Sequence, residues 1–219
     1  ELDPSATVRL NWSAALQRIP IEKRWAIATK LASKSEDADD HNIPKMLWFA
    51  LEKNTAADVE QALVIAKNTK MPKLAEYISR RTIDAGALDK LLLAVQQPSP
   101  NQIHLLRGLQ SSLEGRTDIK APSNWSEIYA QLKKKEEFSQ IAMEIGQLFG
   151  DAEAAKELFA TIENKSAPVE ERQRAITTLA SRQWSGLAVR LPEFMDDPVL
   201  RIHAIRAITN YNDGELGWQ

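Results

Sequence analysis

The chain contains no cysteine. That excludes a disulfide framework, a thiolate nucleophile, a cysteine-ligated zinc and a CxxCH attachment site for haem, and it is compatible with a reducing or an oxidising compartment. Glycine-rich phosphate loops, a GxSxG elbow and an HExxH pair are missing as well. No run approaches the roughly 18 apolar residues that a membrane helix requires. The opening residues ELDPSATVRL have neither a basic start nor an apolar signal core. They read instead as the turn and first helix of a repeat, which predicts that the chain begins inside a longer protein. Positive charge is not in excess either: 28 basic residues face 30 acidic ones, for a net charge of −2. The overall field that non-specific nucleic-acid binding needs is therefore lacking.

What is present is the material of a folded helical protein. With 219 residues, 43% hydrophobic and 26% charged, the chain can bury a sizeable core and is too apolar for disorder. The stretch DDHNIPKMLWFALEK, residues 39–53, shows how it is organised. Asn42 is placed to cap a helix, Pro44 suits its first turn, and Ile43, Met46, Leu47, Ala50 and Leu51 recur at helical spacing. Trp48 and Phe49 widen that face, so neighbours are expected on more than one side.

Similar helices run along the whole chain, with no strand-like alternation. Residues 5–19 and 20–34 form a first antiparallel pair, and a polar run, SKSEDADDHN, separates it from the helix at 42–53. Helices follow over 55–69, 71–85 and 88–95, with a break at Gly86. Another runs to Leu113, with Ser99 as its cap and Pro100 in its first turn. Residues 114–124 read as the longest loop. Helices over 123–134 and 136–149 follow, the second stopping at Gly150, and Asp151 caps the next.

Three segments open with a proline and bring an arginine soon after: DPSATVRLNWSAAL from Asp3, APVEERQRAITTLA from Ala167, and DPVLRIHAIRAITN from Asp197-Pro198. Aligning Ala175 with Ala204 superposes RQRAITTL on RIHAIRAI at an offset of 29 residues. That length fits two helices and two turns, the unit of a stack in which each repeat buries its face against its neighbours. An all-α fold follows, an α-α superhelix of antiparallel helix pairs spanning 1–219 as a single domain.

The Asp-Pro, Val, Arg pattern ahead of an Ala/Leu-rich helix resembles the HEAT-type repeat of HEAT/armadillo-like solenoids, although its 29-residue spacing is shorter than the roughly 40–47 residues of the longer units. Residues 24–53 resemble a segment of the large planctomycete and verrucomicrobial membrane-bound dehydrogenases, through Arg24-Trp25, Glu36-Asp37, Asp40, Asn42-Ile43-Pro44 and Met46-Leu47-Trp48. Gly115-Arg116, Pro122 and Trp125 are also similar. In that family a propeller precedes a HEAT-like region and a c-type haem domain follows it. The resemblance implies a location outside the cytoplasm and a helical region flanked by catalytic and electron-transfer domains. It carries neither dehydrogenase chemistry nor haem onto any residue here, because the propeller strands and the CxxCH are missing.

Candidate chemistry is thin. His41, His104 and His203 have no ligand neighbour at i+3 or i+4. Glu36, Asp37, Asp39 and Asp40 lack the glycine turn of a calcium loop and read as capping and dipole-complementing acids. Lys133, Lys134 and Lys135 are offset by Glu136 and Glu137. Asp197 and Arg201 have the spacing of a helical ion pair. No catalytic, metal or cofactor site is expected in this segment. The structural motif residues are Asn42, Pro44, Trp48, Asp197, Pro198 and Arg201. Arg80, Arg81, Trp184 and Trp218 are the candidates for contact with a protein partner or a flanking domain. The opposing reading is an enzyme whose site assembles from scattered residues such as His104, Arg107 and Glu114.

Overall fold

The computed structural model describes residues 3–116 and 119–211, and the described residues form fourteen α-helices and no strand. The protein is all-α, with helices packed on their neighbours in sequence and on the next helix but one. Its contacts group into two units, Glu1–Ser112 and Leu113–Gln219.

The first unit contains α1 (Ala6–Ala15), α2 (Ile21–Ala32), α3 (Ile43–Ala57), α4 (Val59–Asn68), α5 (Pro72–Asp84), α6 (Leu88–Gln96) and most of α7 (Gln102–Leu113). Its direction of stacking is legible in side-chain bonds. Asn54 Nδ2 donates to Ile21 O at 2.8 Å and Arg24 Nη1 to Ala50 O at 2.7 Å, so the start of α2 lies beside the end of α3 and the two are antiparallel. Trp48 on α3 and Tyr77 on α5 meet with ring centroids 5.6 Å apart and the rings tilted by 34°, which packs α5 directly against α3. Thr69 Oγ1 and Lys70 N both donate to Ala32 O, which sets the ends of α2 and α4 together. Odd-numbered helices thus form one row and even-numbered helices a second. Leu47, Leu51, Leu74, Ile78, Leu91, Leu92, Leu105 and Leu106 are fully buried between them.

The helix over 39–53 is α3, and it touches α1, α2, α4 and α5. Cover on more than one side is thereby met, yet Phe49 remains 49% exposed and lies outside that cover. Pro44 occupies the first turn as expected. The cap is not Asn42, whose side chain makes no capping bond. Asp40 supplies it instead: its Oδ1 accepts from the N–H groups of Asn42 and Ile43, each at 2.8 Å. Those backbone bonds, that of Ile43 foremost, hold the Asp40 carboxyl below the usual carboxylate range. A carboxylate two residues upstream outcompetes a neutral amide because a charge-assisted acceptor is the stronger one.

Ser99 likewise does not cap α7. Its buried hydroxyl has no hydrogen-bond partner, Pro100 precedes the helix, and the Leu105 N–H reaches Asn101 O. Gly86 ends α5 at φ 75°, a left-handed conformation that glycine adopts without steric cost.

The second unit contains α8 (Trp125–Lys133), α9 (Glu136–Leu148), α10 (Ala152–Glu163), α11 (Val169–Ser181), α12 (Ser185–Ala188), α13 (Leu191–Met195) and α14 (Arg201–Ile208). Asp151 caps α10, accepting from the Ala154 N–H at 3.2 Å, and Gly150 stops α9 at φ 84°. Between α11 and α14 the connecting helix is broken into α12 and α13, with Pro192 in the first turn of α13. Leu158, Ile162, Ile176, Leu179, Leu187, Leu191 and Leu200 form the core, and Phe159 and Trp184 pack against it.

Candidate functional site

The most distinctive polar feature in each unit is an arginine that ties one odd-row helix to the turn leading into its successor. In the first unit Arg9 on α1 is buried and makes a bidentate pair with Asp37, Nε to Oδ2 and Nη2 to Oδ1, both at 2.6 Å. Its Nη1 donates to the carbonyls of Asp3 and Pro4, at 3.0 and 2.7 Å. Hydrogen bonding to Asp37 raises the Arg9 pKa further. Arg24 works without a carboxylate, donating to Ile19 O, Gln17 O and Ala50 O. In the second unit Arg172 on α11 donates from Nε to Ile162 O and from Nη2 to Asp197 Oδ2, each at 2.9 Å. Asp197 is partly buried, which disfavours its charge, but the Val199 N–H and Arg172 outweigh this and keep its pKa low.

These pairs correct two expectations. Asp37 is not a solvated, dipole-complementing acid; it is the buried partner of Arg9. Asp197 does not pair with Arg201, because Arg172 of the preceding repeat holds it, and Arg201 Nε donates to Met195 O instead. Sequence spacing within one helix hid both, since the real partners stand 28 and 25 residues away, about one repeat. The signal that could have found them was the recurring arginine after each proline, read together with the repeat length.

The even row of the first unit carries a second ladder on its outer surface. Glu60 on α4 pairs with Lys90 on α6 at 2.6 Å, and Lys67 Nζ donates to Gln97 Oε1 at 2.7 Å. Between these two polar rungs stand Val64 and Leu93, 55% and 57% exposed. Exposed aliphatic side chains between an ion pair and a lysine–amide hydrogen bond make a small apolar patch suited to contact with another protein.

The remaining candidates do not converge. His104 Nδ1 lies 3.0 Å from Glu76 Oε1, and Lys73 Nζ donates to Glu76 Oε2 at 2.8 Å. Burial opposes ionisation of Glu76, yet the Lys73 and His104 bonds prevail and its pKa falls. Arg107 and Glu114 are exposed on and just beyond α7 and join no such pair. Arg80 is exposed, whereas Arg81 is half-buried with an unpartnered Nε. Trp184 is half-buried against Phe159, with centroids 5.3 Å apart, and its carbonyl accepts from Tyr211 Oη at 3.1 Å. Trp218 lies outside the described residues. Lys133 pairs with Glu157, and Lys135 lies 5.2 Å over the Phe138 ring.

Open concavities accompany these features. In the second unit an open cleft of about 660 Å³ is bordered by Glu163, Lys165, Arg172, Arg190, Phe194 and Asp197. Arg190 there pairs with Glu193 at 2.7 Å and Glu163 at 3.0 Å while lying 5.4 Å over the Phe159 ring. In the first unit a smaller depression of about 310 Å³ is bordered by His41, Lys45, Lys73 and Tyr77. Among the described residues no group of three or more histidine or carboxylate side chains is arranged to hold a metal ion, and no helix is long and apolar enough to cross a membrane. Comparisons with known protein families, curated proteins and solved structures find no match to this chain.

Proposed function

We propose that this chain is a non-catalytic helical-repeat module, a scaffold or protein-interaction spacer within a larger extracytoplasmic protein of the membrane-bound dehydrogenase type. The observation that carries this reading is the use made of the buried ionic groups. Arg9, Asp37, Arg24 and Arg172 are each bonded to a neighbouring repeat or to a helix end, leaving their chemistry committed to stacking. An ion pair consumed in this way fixes which helix lies beside which, and does not await a substrate. The surface offered to a partner is the even-row ladder, where Val64 and Leu93 lie between the Glu60–Lys90 and Lys67–Gln97 rungs. Family context comes from the resemblance of residues 24–53, and it supplies the flanking domains that such a spacer would hold apart.

Affinity capture from a periplasmic extract, with wild type and the V64D/L93D variant compared by quantitative mass spectrometry, tests the reading. A protein retained by the wild type and lost with the variant supports it. Identical retained sets, combined with saturable stabilisation of the chain by one small-molecule substrate, would overturn it in favour of the enzyme built on His104.

A further inference from the structure

A depression of about 380 Å³ lies at the turns that join α3 to α4 and α5 to α6, lined by Ala56, Ala57, Ala85, Gly86, Asp89 and the Glu60–Lys90 pair. It adjoins the apolar patch of the even row, since Val64 stands one turn on from Glu60 in α4 and Leu93 one turn on from Lys90 in α6. The helix ends that meet there are unequally served. At the start of α4, Asp58 Oδ1 accepts from the Gln61 N–H at 3.0 Å, and Glu60 and Asp89 stand in the first turns of α4 and α6, where an acid complements the dipole. At the ends of α3 and α5 the carbonyls of Ala56, Ala57, Ala85 and Gly86 accept no hydrogen bond among the described residues.

The chain's own cations do not fill that place. α3 has no basic residue in its last turn, and Arg81 in the last turn of α5 keeps an unpartnered Nε. Lys90 is held by Glu60 at 2.6 Å, while Asp89 is exposed and has no ion-pair partner among the described residues. Elsewhere the protein meets such carbonyls with arginines: Arg172 Nε donates to Ile162 O in the last turn of α10, Arg201 Nε to Met195 O at the end of α13, and Arg24 to Ile19 O and Gln17 O ahead of α2. A guanidinium suits the task because its donors fan out in one plane and reach several oxygens at once. The depression holds the same kind of acceptors, with a carboxylate beside them, and lacks the arginine.

We propose that the protein partner of the even-row patch supplies that arginine: its guanidinium enters the depression against Asp89 and the open carbonyls, while an aliphatic side chain of the same segment lies on Val64 and Leu93. This rests on Val64 and Leu93 being a partner surface, and it names the partner's chemistry, a basic segment with an apolar residue close to its arginine. Charge and shape then act together, the apolar contact supplying area and the arginine fixing the direction in which the segment lies.

Panning a random peptide display library on the 219-residue chain, followed by calorimetry with a recovered peptide, tests this. Peptides that bind the wild type and not V64D/L93D are expected to share an arginine near an aliphatic residue. Asp89→Lys should weaken such a peptide by about tenfold or more, the scale of one close charge pair across an interface, and Asp89→Asn by less. Replacing the peptide's arginine with citrulline should weaken binding to the wild type and make the wild type and Asp89→Asn bind alike, because the pair is then already lost. Asp89 is exposed, so its variants leave the core untouched, and circular dichroism checks their helix content. Peptides that require Val64 and Leu93 but carry no arginine, or whose affinity ignores Asp89, overturn the arginine and leave the patch as a docking surface. A library that yields no peptide sensitive to V64D/L93D overturns the docking surface and the arginine together.

Discussion

Arg9–Asp37 and Arg172–Asp197 do the same topological work under different physical conditions. In the first unit both side chains are withdrawn from water, with the Asp37 side chain only 2% exposed, and two parallel bonds of 2.6 Å join them. In the second unit one bond of 2.9 Å is made, and the Asp197 side chain keeps 23% of its surface in solvent. Burial raises the cost of leaving either partner alone, because a lone charge in the interior has no water to fall back on. A rung with one wet end can lose its partner and rehydrate. The same sequence device therefore acts as a strict register lock in the first unit and as a softer tether in the second.

The sharpest break of that comparison is Asp37→Ala. It strands the Arg9 guanidinium in the interior and should destabilise the first unit by about 3–5 kcal/mol, the range for breaking a buried pair. Urea unfolding followed by hydrogen exchange would locate the loss in residues 3–112. If the cost lies in the uncompensated charge, Arg9→Met/Asp37→Leu should recover most of the stability. A double variant as unstable as the single one would shift the explanation to lost packing around the turn.

Glycines in the two units sharpen the contrast from the side of packing. A Cβ on Gly108 of α7 would sit 2.5 Å from both Glu76 O and Ser79 Cβ, so α5 and α7 touch through bare backbone. One on Gly146 of α9 would meet Ala154 Cβ at 3.0 Å and the Tyr129 ring at 3.3 Å, which small shifts can relieve. Gly108→Ala should therefore cost about 1–3 kcal/mol as an overpacked contact. Gly146→Ala should fall within about 1 kcal/mol of wild type, helix propensity offsetting the crowding. Thermal melts of the two variants side by side decide the order, and equal losses would contradict the difference in closeness.

Asp197→Asn tests the softer rung, with an expected loss of about 1–2 kcal/mol near neutral pH, in the range for a hydrogen bond to a charged group with partial water access. Its pH dependence has a definite sign. The folded Asp197 pKa is depressed, so its contribution is fully present above the unfolded value of about 3.9 and disappears as pH falls through the lower folded value. The gap between wild type and variant should be constant from neutral pH down to that region and then close. A gap that widens on acidification would mean that the carboxyl is not the group responsible.

Much of this architecture was legible in the sequence because it rests on local chemistry. Helical spacing of apolar residues, Pro44 in a first turn, and Gly86 and Gly150 at helix ends each act within a few residues, and each stands where the pattern puts it. The offset of 29 residues captured the stacking period without revealing what spans it. Asp37 reads as a dipole-complementing acid and Asp197 as the partner of Arg201 because their true partners belong to another repeat, and no pattern inside one helix marks a charge for burial. The Asn42 cap failed for a related reason. Asp40 stands only two residues upstream, and the turn carries its carboxylate to the same N–H groups that the amide would have taken.

The smallest expected effect lies at the end of α11, where Gln183 takes φ 53°, the left-handed conformation that Gly86 and Gly150 occupy at other helix ends. The backbone there is a glycine-type stop: Gln183 N–H reaches Ala180 O at 2.9 Å and Trp184 N–H reaches Leu179 O at 3.1 Å. A side chain in this conformation costs roughly 1–2 kcal/mol. Gln183 offsets part of that through Nε2, which donates to Asn210 O at 2.7 Å and fastens α11 to the residues after α14. That bond is exposed, and its net worth is about 0.5–1.5 kcal/mol. Gln183→Gly removes the strain and the bond together and should leave the second unit within about 1 kcal/mol of wild type, on the stabilising side. Gln183→Ala keeps the strain, loses the bond and should be the less stable of the two. If the alanine variant proves the more stable of the two in chemical denaturation, the left-handed stop is not what constrains this position.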